Sequence, residues 1–331
     1  MQNRPMDVKY CGVDEEKIKT AEPVIDAQSL EWFTHWIKER YSVHIKKDVL
    51  NAPQPWTKDK ILANYRFTNV RREQDRQSQY LIKNIVQNDK LTLEEKVINC
   101  ILFRCWNLWS TMRDLGGPWT KEQLLDGATI KQATKIYNKI IKEHPKHGFF
   151  TSVFLVSGMK AAGRKAFKNE NAVINILRLG KQLVQKDYAK RCLEAKDPLE
   201  FVRILQELPG IAGFLSYQMF VDCTYIPEFQ FSENEFTVAG PGCRRGIRAL
   251  FTDPKDLTPE ECIFWLRDNL KNIAPDFDPM EFMTDLPEEE RFLSVVSLEN
   301  CFCEFSKYYK SCINKGRPKL HYVPYKGDKD E

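Results

Sequence analysis

Between residues 232 and 246 the chain reads SENEFTVAGPGCRRG. Glu233 and Glu235 flank Asn234, a Gly-Pro-Gly turn follows, and Arg244 and Arg245 come next. Carboxylates beside a tight turn and a pair of guanidiniums suit work on a sugar–phosphate substrate. The acid moves a proton or stabilises positive charge, and the arginines hold phosphate. Glu233 and Glu235 are the candidate acids of this stretch, and Asn234 offers its amide for hydrogen bonding. A second polar run, NYRFTNVRREQDRQSQYL at 64–81, interleaves Arg66, Arg71, Arg72 and Arg76 with Tyr65, Phe67, Asn69, Glu73 and Asp75. One reading makes it a wall beside a base, with Tyr65, Phe67 and Asn69 against the ring and Arg71 and Arg72 on phosphates. The other makes it a helix face on which Arg72 meets Asp75 and Arg76.

The segment LQELPGIAGFLSYQMF at 205–220 supplies a third feature. Pro209 stops one helix near Leu208, Gly210 allows a sharp bend, and the next helix opens with unpaired amides that favour an anion. This resembles the helix-hairpin-helix element that grips a DNA phosphate, with Gly210, Ala212 and Gly213 as the contacts. An ordinary αα-hairpin has the same local pattern. Tyr217 lies on the second helix and adds an aromatic base contact. In the last helix Glu299, Asn300 and Glu304 recur near one face, and Lys307, Lys310, Lys315, Arg317 and Lys319 make a basic end.

The elements that must position these residues are helical. Val97, Ile98, Ile101, Leu102, Cys105, Leu108, Trp109 and Met112 fall on one stripe and predict a helix over 93–112, ended by the glycines at 116 and 117. Further helices are expected near 30–37, 129–143, 170–195, 198–207, 211–222, 258–271 and 294–313. One strand is expected, FFTSVFLV at 149–156, and 273–290 reads as a long acidic loop. The fold class is mostly α, with an N-terminal extension over 1–27, a helical domain over 28–325 in which two lobes can enclose a cleft, and a frayed tail at 326–331.

With 42% apolar and 29% charged residues among 331, the chain suits a folded core rather than disorder. Its apolar runs, such as VINCILF at 97–103, fall far short of the ~20 residues that span a bilayer. The N-terminus lacks the apolar stretch of a signal peptide. A cytoplasmic monomer without membrane contact is expected. Ten cysteines form no paired CxxC motif, so buried free thiols are expected and neither a metal nor a cofactor. There is no GxxxxGK[ST] and no GxGxxG, which makes nucleotide-kinase and dinucleotide readings poor.

Five blocks in order, YRFTNVRREQDR, FRCWNLWSTMRDLGG, LPGIAGFLSYQMFVD, FSENEFTVAGPGCRRG and SLENCFCEFSKYY, resemble the α-glutamyl/putrescinyl thymine pyrophosphorylase family, a branch of the helix-hairpin-helix DNA glycosylase superfamily. The likeness covers roughly 28–325. It implies a glycosylase-like helical architecture and a partner in hypermodified phage DNA. The leading expectation is a monofunctional glycosylase that flips out a bulky 5-modified pyrimidine, such as glucosylated 5-hydroxymethylcytosine, and leaves an abasic site as a defence against phage. One alternative is a transferase that displaces pyrophosphate from an activated 5-hydroxymethyluracil. A second is a non-catalytic binder of modified DNA. The chain departs from the superfamily pattern where Gly240 stands at the usual catalytic Asp, so the resemblance passes the catalytic role to Glu235 by preference, or to Glu233 or Asp222, with Asn234 on the base edge; it departs also in the displaced second glycine of the hairpin, Ala212 then Gly213. Phe214 stands where strand-cutting members carry a lysine, so no Schiff-base step is expected.

Overall fold

A computed structural model describes residues 12–151 and 172–323. The structure is mostly helical. In chain order its helices are α1 (Glu15–Thr20), α2 (Ala27–His44), α3 (Lys60–Asn64), α4 (Arg76–Leu81), α5 (Leu93–Trp106), α6 (Trp109–Asp114), α7 (Lys121–Leu125), α8 (Gly127–Glu143), α9 (Ala172–Gln185), α10 (Tyr188–Leu193), α11 (Pro198–Gln206), α12 (Gly213–Cys223), α13 (Pro241–Leu250), α14 (Pro259–Ile273), α15 (Pro279–Phe282) and α16 (Val295–Cys312). Among the described residues one small antiparallel ladder occurs, β1 (Val24–Ile25) with β2 (Phe251–Asp253). The strand expected at 149–156 lies outside the described residues beyond 151, as does the expected tail at 326–331. The described part of the expected N-terminal extension is integrated: β1 pairs with β2, and Lys17 in α1 bonds Glu261 at 3.0 Å.

The chain divides into two compact units, one of residues 76–232 and one of residues 12–75 with 233–323. The first is built on α5. Thr92 caps this helix and Glu95 reaches back to the Thr92 amide, a reciprocal pairing that satisfies two otherwise orphaned donors. From Glu95 to Trp106 every residue of α5 is buried, as expected for a helix covered on all sides. The single helix expected over 93–112 is broken. Asn107 takes left-handed geometry (φ 51°, ψ 29°), and its side chain is held by Arg104 at 2.8 Å and Thr151 at 2.7 Å. Asparagine tolerates this conformation better than most residues. Asp187 (φ 52°) divides the helix expected over 170–195 in the same way.

In this unit α11 and α12 pack together around the Pro209–Gly210 bend, where Gly210 has φ +82°. Gly210 and Ala212 are exposed, whereas Gly213 is buried at the first turn of α12.

The second unit is built on α16. Val295, Leu298, Phe302 and Phe305 form its buried stripe, and Phe33 of α2 packs on Phe302 and Phe305 with ring centroids 5.0 and 5.1 Å away. The Gly-Pro-Gly run explains the approach of α13. Gly240 is its N-cap and Pro241 its first residue. A Cβ on Gly242 would lie 2.4 Å from Cys303 Sγ, and one on Gly246 would lie 2.1 Å from the Phe302 carbonyl oxygen. These glycines let two helices touch. The expected acidic loop at 273–290 contains α15 and a 3₁₀ turn at Glu288–Glu290.

Candidate active site

Within the second unit, Ser294 caps α16 by accepting from the Ser297 amide at 3.0 Å. The segment carrying Glu233 and Asn234 runs against this helix start. The Val295 amide donates to Asn234 Oδ1 at 3.2 Å, and the Val296 amide donates to the Glu233 carbonyl at 3.3 Å. These bonds fix the backbone that presents the Glu233 carboxyl. Burial pushes that carboxyl up to about 7. The charge of Glu73 adds to the rise, while Arg71 and a hydrogen bond from Ser294 oppose it. Arg71 is itself ordered by the Glu73 carboxylate and the Glu290 carbonyl, and its guanidinium lies 5.8 Å from the centre of the Phe292 ring. Glu73, Arg71 and Glu233 thus form an acid–base–acid cluster.

Further along α16, Glu299 is 4% exposed and accepts from the Gly240 amide at 3.5 Å. Burial raises it to about 7 against the pull of Arg72. Glu304 accepts from the Thr68 amide at 3.0 Å, and Asn300 donates to the Asn69 carbonyl at 2.7 Å. The acidic face of the last helix therefore organises the segment 68–72 from within.

A cavity of about 540 Å³ lies in the same unit. Asn234 and residues 291–293 line it, while Glu290 and Ser294, immediately beyond that stretch, face the Glu233 carboxyl. The stretch 290–294 thus neighbours both the Glu233 carboxyl and the cavity, whose lining begins at Asn234. A carboxyl held near neutrality accepts a proton from a hydroxyl at physiological pH, which is what a general base requires.

Several expected site residues have other tasks. Arg71 and Arg72 are only 6% and 8% exposed and sit among carboxylates, so they are not placed as contacts for a DNA backbone. They do not share a helix face with Asp75 and Arg76 either: Arg72–Gln74 is a 3₁₀ turn, Asp75 is extended and α4 starts at Arg76. Arg244 bonds Glu260 at 2.9 Å and the Ala239 carbonyl at 2.9 Å, while Arg245 is exposed.

Phe67 packs in the core against Trp36 and Tyr308. Asn69 is buried, with its carbonyl oxygen accepting from Arg40 and its amide donating to the Gln74 carbonyl at 2.8 Å. Tyr65 bridges to His321, with ring centroids 4.9 Å apart. These contacts leave Phe67 and Asn69 unsuited to hold a base, and Tyr217 is fully buried in the first unit.

Asp222 is fully buried in that unit too, gripped by both Nε and Nη2 of Arg104. It is a structural ion pair and not an acid open to substrate. Of the carboxylates expected to act, Glu235 is exposed, and Glu233 is the one that the structure sets in a tuned environment beside a cavity. The cavity itself is not legible in the sequence, because its walls come from scattered positions between 234 and 298.

The family described as "5-hmdU DNA kinase, helical domain" matches residues 27–317. The 5-hmdU DNA kinase of Bacillus phage SP10 is 21% identical over 317 residues, which cover 92% of this chain and 48% of that protein. The chain thus spans about half the length of the relative. No solved structure matches.

These similarities overturn the expected glycosylase. The matched family and relative are named for phosphoryl transfer, not for hydrolysis of an N-glycosidic bond, so base excision falls, and with it the base flipping that served it. They also reverse the inference from the missing phosphate-binding loop. That loop joins a strand to a helix, and the matched region is a helical domain, where its absence says nothing against a kinase. With residues 27–317 spanning both units, the chain belongs to the 5-hmdU DNA kinase helical-domain family.

Proposed function

We propose that this chain acts on 5-hydroxymethyldeoxyuridine in DNA and serves phosphoryl transfer to its hydroxymethyl group, with Glu233 as general base. The observation that carries this reading is the half-buried Glu233 carboxyl, raised to about 7 near a cavity. Family membership supports the substrate. In the step, the hydroxymethyl oxygen attacks the terminal phosphorus of a nucleoside triphosphate while its proton passes to Glu233. The bond from that phosphorus to the bridging oxygen breaks, and the diphosphate leaves with the electron pair. A base near neutrality gains from both its population in the ionised form and its proton affinity. Arg71 keeps the carboxyl from rising further.

The likeness to pyrophosphorylases concerns the same 5-methylene position. The experiment is direct. The full chain is incubated with a nucleoside triphosphate, magnesium and duplexes carrying either 5-hydroxymethyldeoxyuridine or thymidine, and the digested nucleosides are analysed. A phosphomonoester on the modified base alone is expected. Unchanged nucleosides, or equal labelling of thymidine DNA, would contradict the proposal.

A further inference from the structure

The cavity beside Glu233 has an uneven charge balance. Asp268 and Asp278 lie in its wall, but each is committed. Arg267 holds Asp268 with two bonds of 2.7 and 3.1 Å and lays its guanidinium 5.0 Å from the centre of Phe264. Asp278 caps α15 by accepting from the Met280 amide at 2.9 Å. Lys271 and Arg291 are the other cations of the lining. Lys271, one turn after Arg267 on α14, is exposed and forms no ion pair among the described residues. Arg291 spends its Nε on the Leu286 carbonyl at 2.9 Å, and its terminal nitrogens carry no partner among the described residues.

A guanidinium whose outer fork is unspent is matched by two oxygens of one phosphate, and an ammonium nearby adds a mobile point charge. The remaining wall is apolar. Leu270, Phe277 and Leu298 are buried, whereas Phe292 is 38% exposed at the rim. An exposed phenyl ring beside unpaired cations suits a ligand with a flat apolar body and an anionic end. A volume of about 540 Å³ is in the range that accommodates one small organic molecule.

We propose that this cavity binds a nucleoside phosphate, with the phosphates on Arg291 and Lys271 and the base against Phe292. That the bound molecule is the phosphoryl donor rests on the function proposed above; the binding itself does not. The site would hold its nucleotide by side chains, without a glycine-rich loop.

The test is calorimetry on the full chain without DNA, titrated in parallel with ATP, pyrophosphate and thymidine. ATP is expected to bind. Lys271→Ala and Arg291→Ala should each weaken ATP roughly tenfold, a loss of about 1.4 kcal/mol. Phe292→Ala should weaken ATP but leave pyrophosphate unchanged. Lys271→Glu guards against a trivial folding defect, because it changes only an exposed charge and should weaken ATP further than Lys271→Ala.

Undiminished ATP binding in Arg291→Ala and Lys271→Glu would place the ligand elsewhere and overturn the proposal. So would absence of ATP binding at millimolar concentration. Pyrophosphate binding as tight as ATP, or ATP binding indifferent to Phe292→Ala, would overturn the nucleoside part. Because no DNA is present, failure here is separable from failure of the DNA reaction: labelled product without a nucleotide at Arg291 would mean that the donor sits elsewhere.

Discussion

Replacing Glu299 by glutamine tests whether this carboxyl is held protonated by burial. Glu299 is 4% exposed, and burial lifts it from an ordinary 4.5 to about 7. Between these values the unfolded chain has lost the proton while the folded chain keeps it, so stability falls as pH rises through this window. Above pH 7 both states are ionised and the loss is complete. Stability falls by about 1.4 kcal/mol for each pH unit of the window, so the full loss is about 3 kcal/mol.

Glutamine mimics the protonated acid and does not titrate. Glu299→Gln should therefore match the wild type near pH 4.5 and exceed it by about 3 kcal/mol above pH 8. Urea denaturation of both proteins from pH 4.5 to 8.5, with the difference plotted against pH, measures this. Parallel profiles would show that Glu299 is ionised at no cost and refute the reasoning.

Two further substitutions test the frame. Gly246→Ala should destabilise by about 3 kcal/mol, since the new methyl would lie 2.1 Å from the backbone oxygen of Phe302; helix propensity alone predicts the opposite sign by about 1 kcal/mol. Asp222→Ala should cost about 3–5 kcal/mol by stranding the buried charge of Arg104, and chemical denaturation reads both changes.

The helical frame is legible in the sequence because buried stripes, caps and Pro-Gly breaks follow local rules. The core stripe of α16 and the Thr92 cap of α5 are of this kind. The breaks at Asn107 and Asp187 are not, since a left-handed polar residue looks in sequence like any other helix-surface residue. The Gly-Pro-Gly run reads in sequence as a tight turn; Gly242 and Gly246 serve the contact between α13 and α16, which only tertiary packing reveals.

Arginines are seldom buried, so local pattern places Arg71 and Arg72 on the surface. Their burial depends on Glu73, Glu233 and Glu299 converging from distant segments. Glu233 is among the acids that the sequence singles out, yet it favours Glu235, because nothing local tells which neighbour of Asn234 turns inward. Lys271 meets Arg291 and Phe292 only through the fold.

In the proposed reaction Glu233 takes the proton from the hydroxymethyl group. The most direct test is the rate of labelled phosphate transfer from ATP to 5-hydroxymethyldeoxyuridine DNA, measured from pH 5 to 9 for the wild type and Glu233→Gln. A general base must be ionised, so the wild-type rate should rise with pH and level off above about 7, where Glu233 titrates. Glu233→Gln should lose most of the rate and the pH-dependent rise while still binding DNA. Wild-type transfer by Glu233→Gln, or release of free base in place of transfer, would contradict the account.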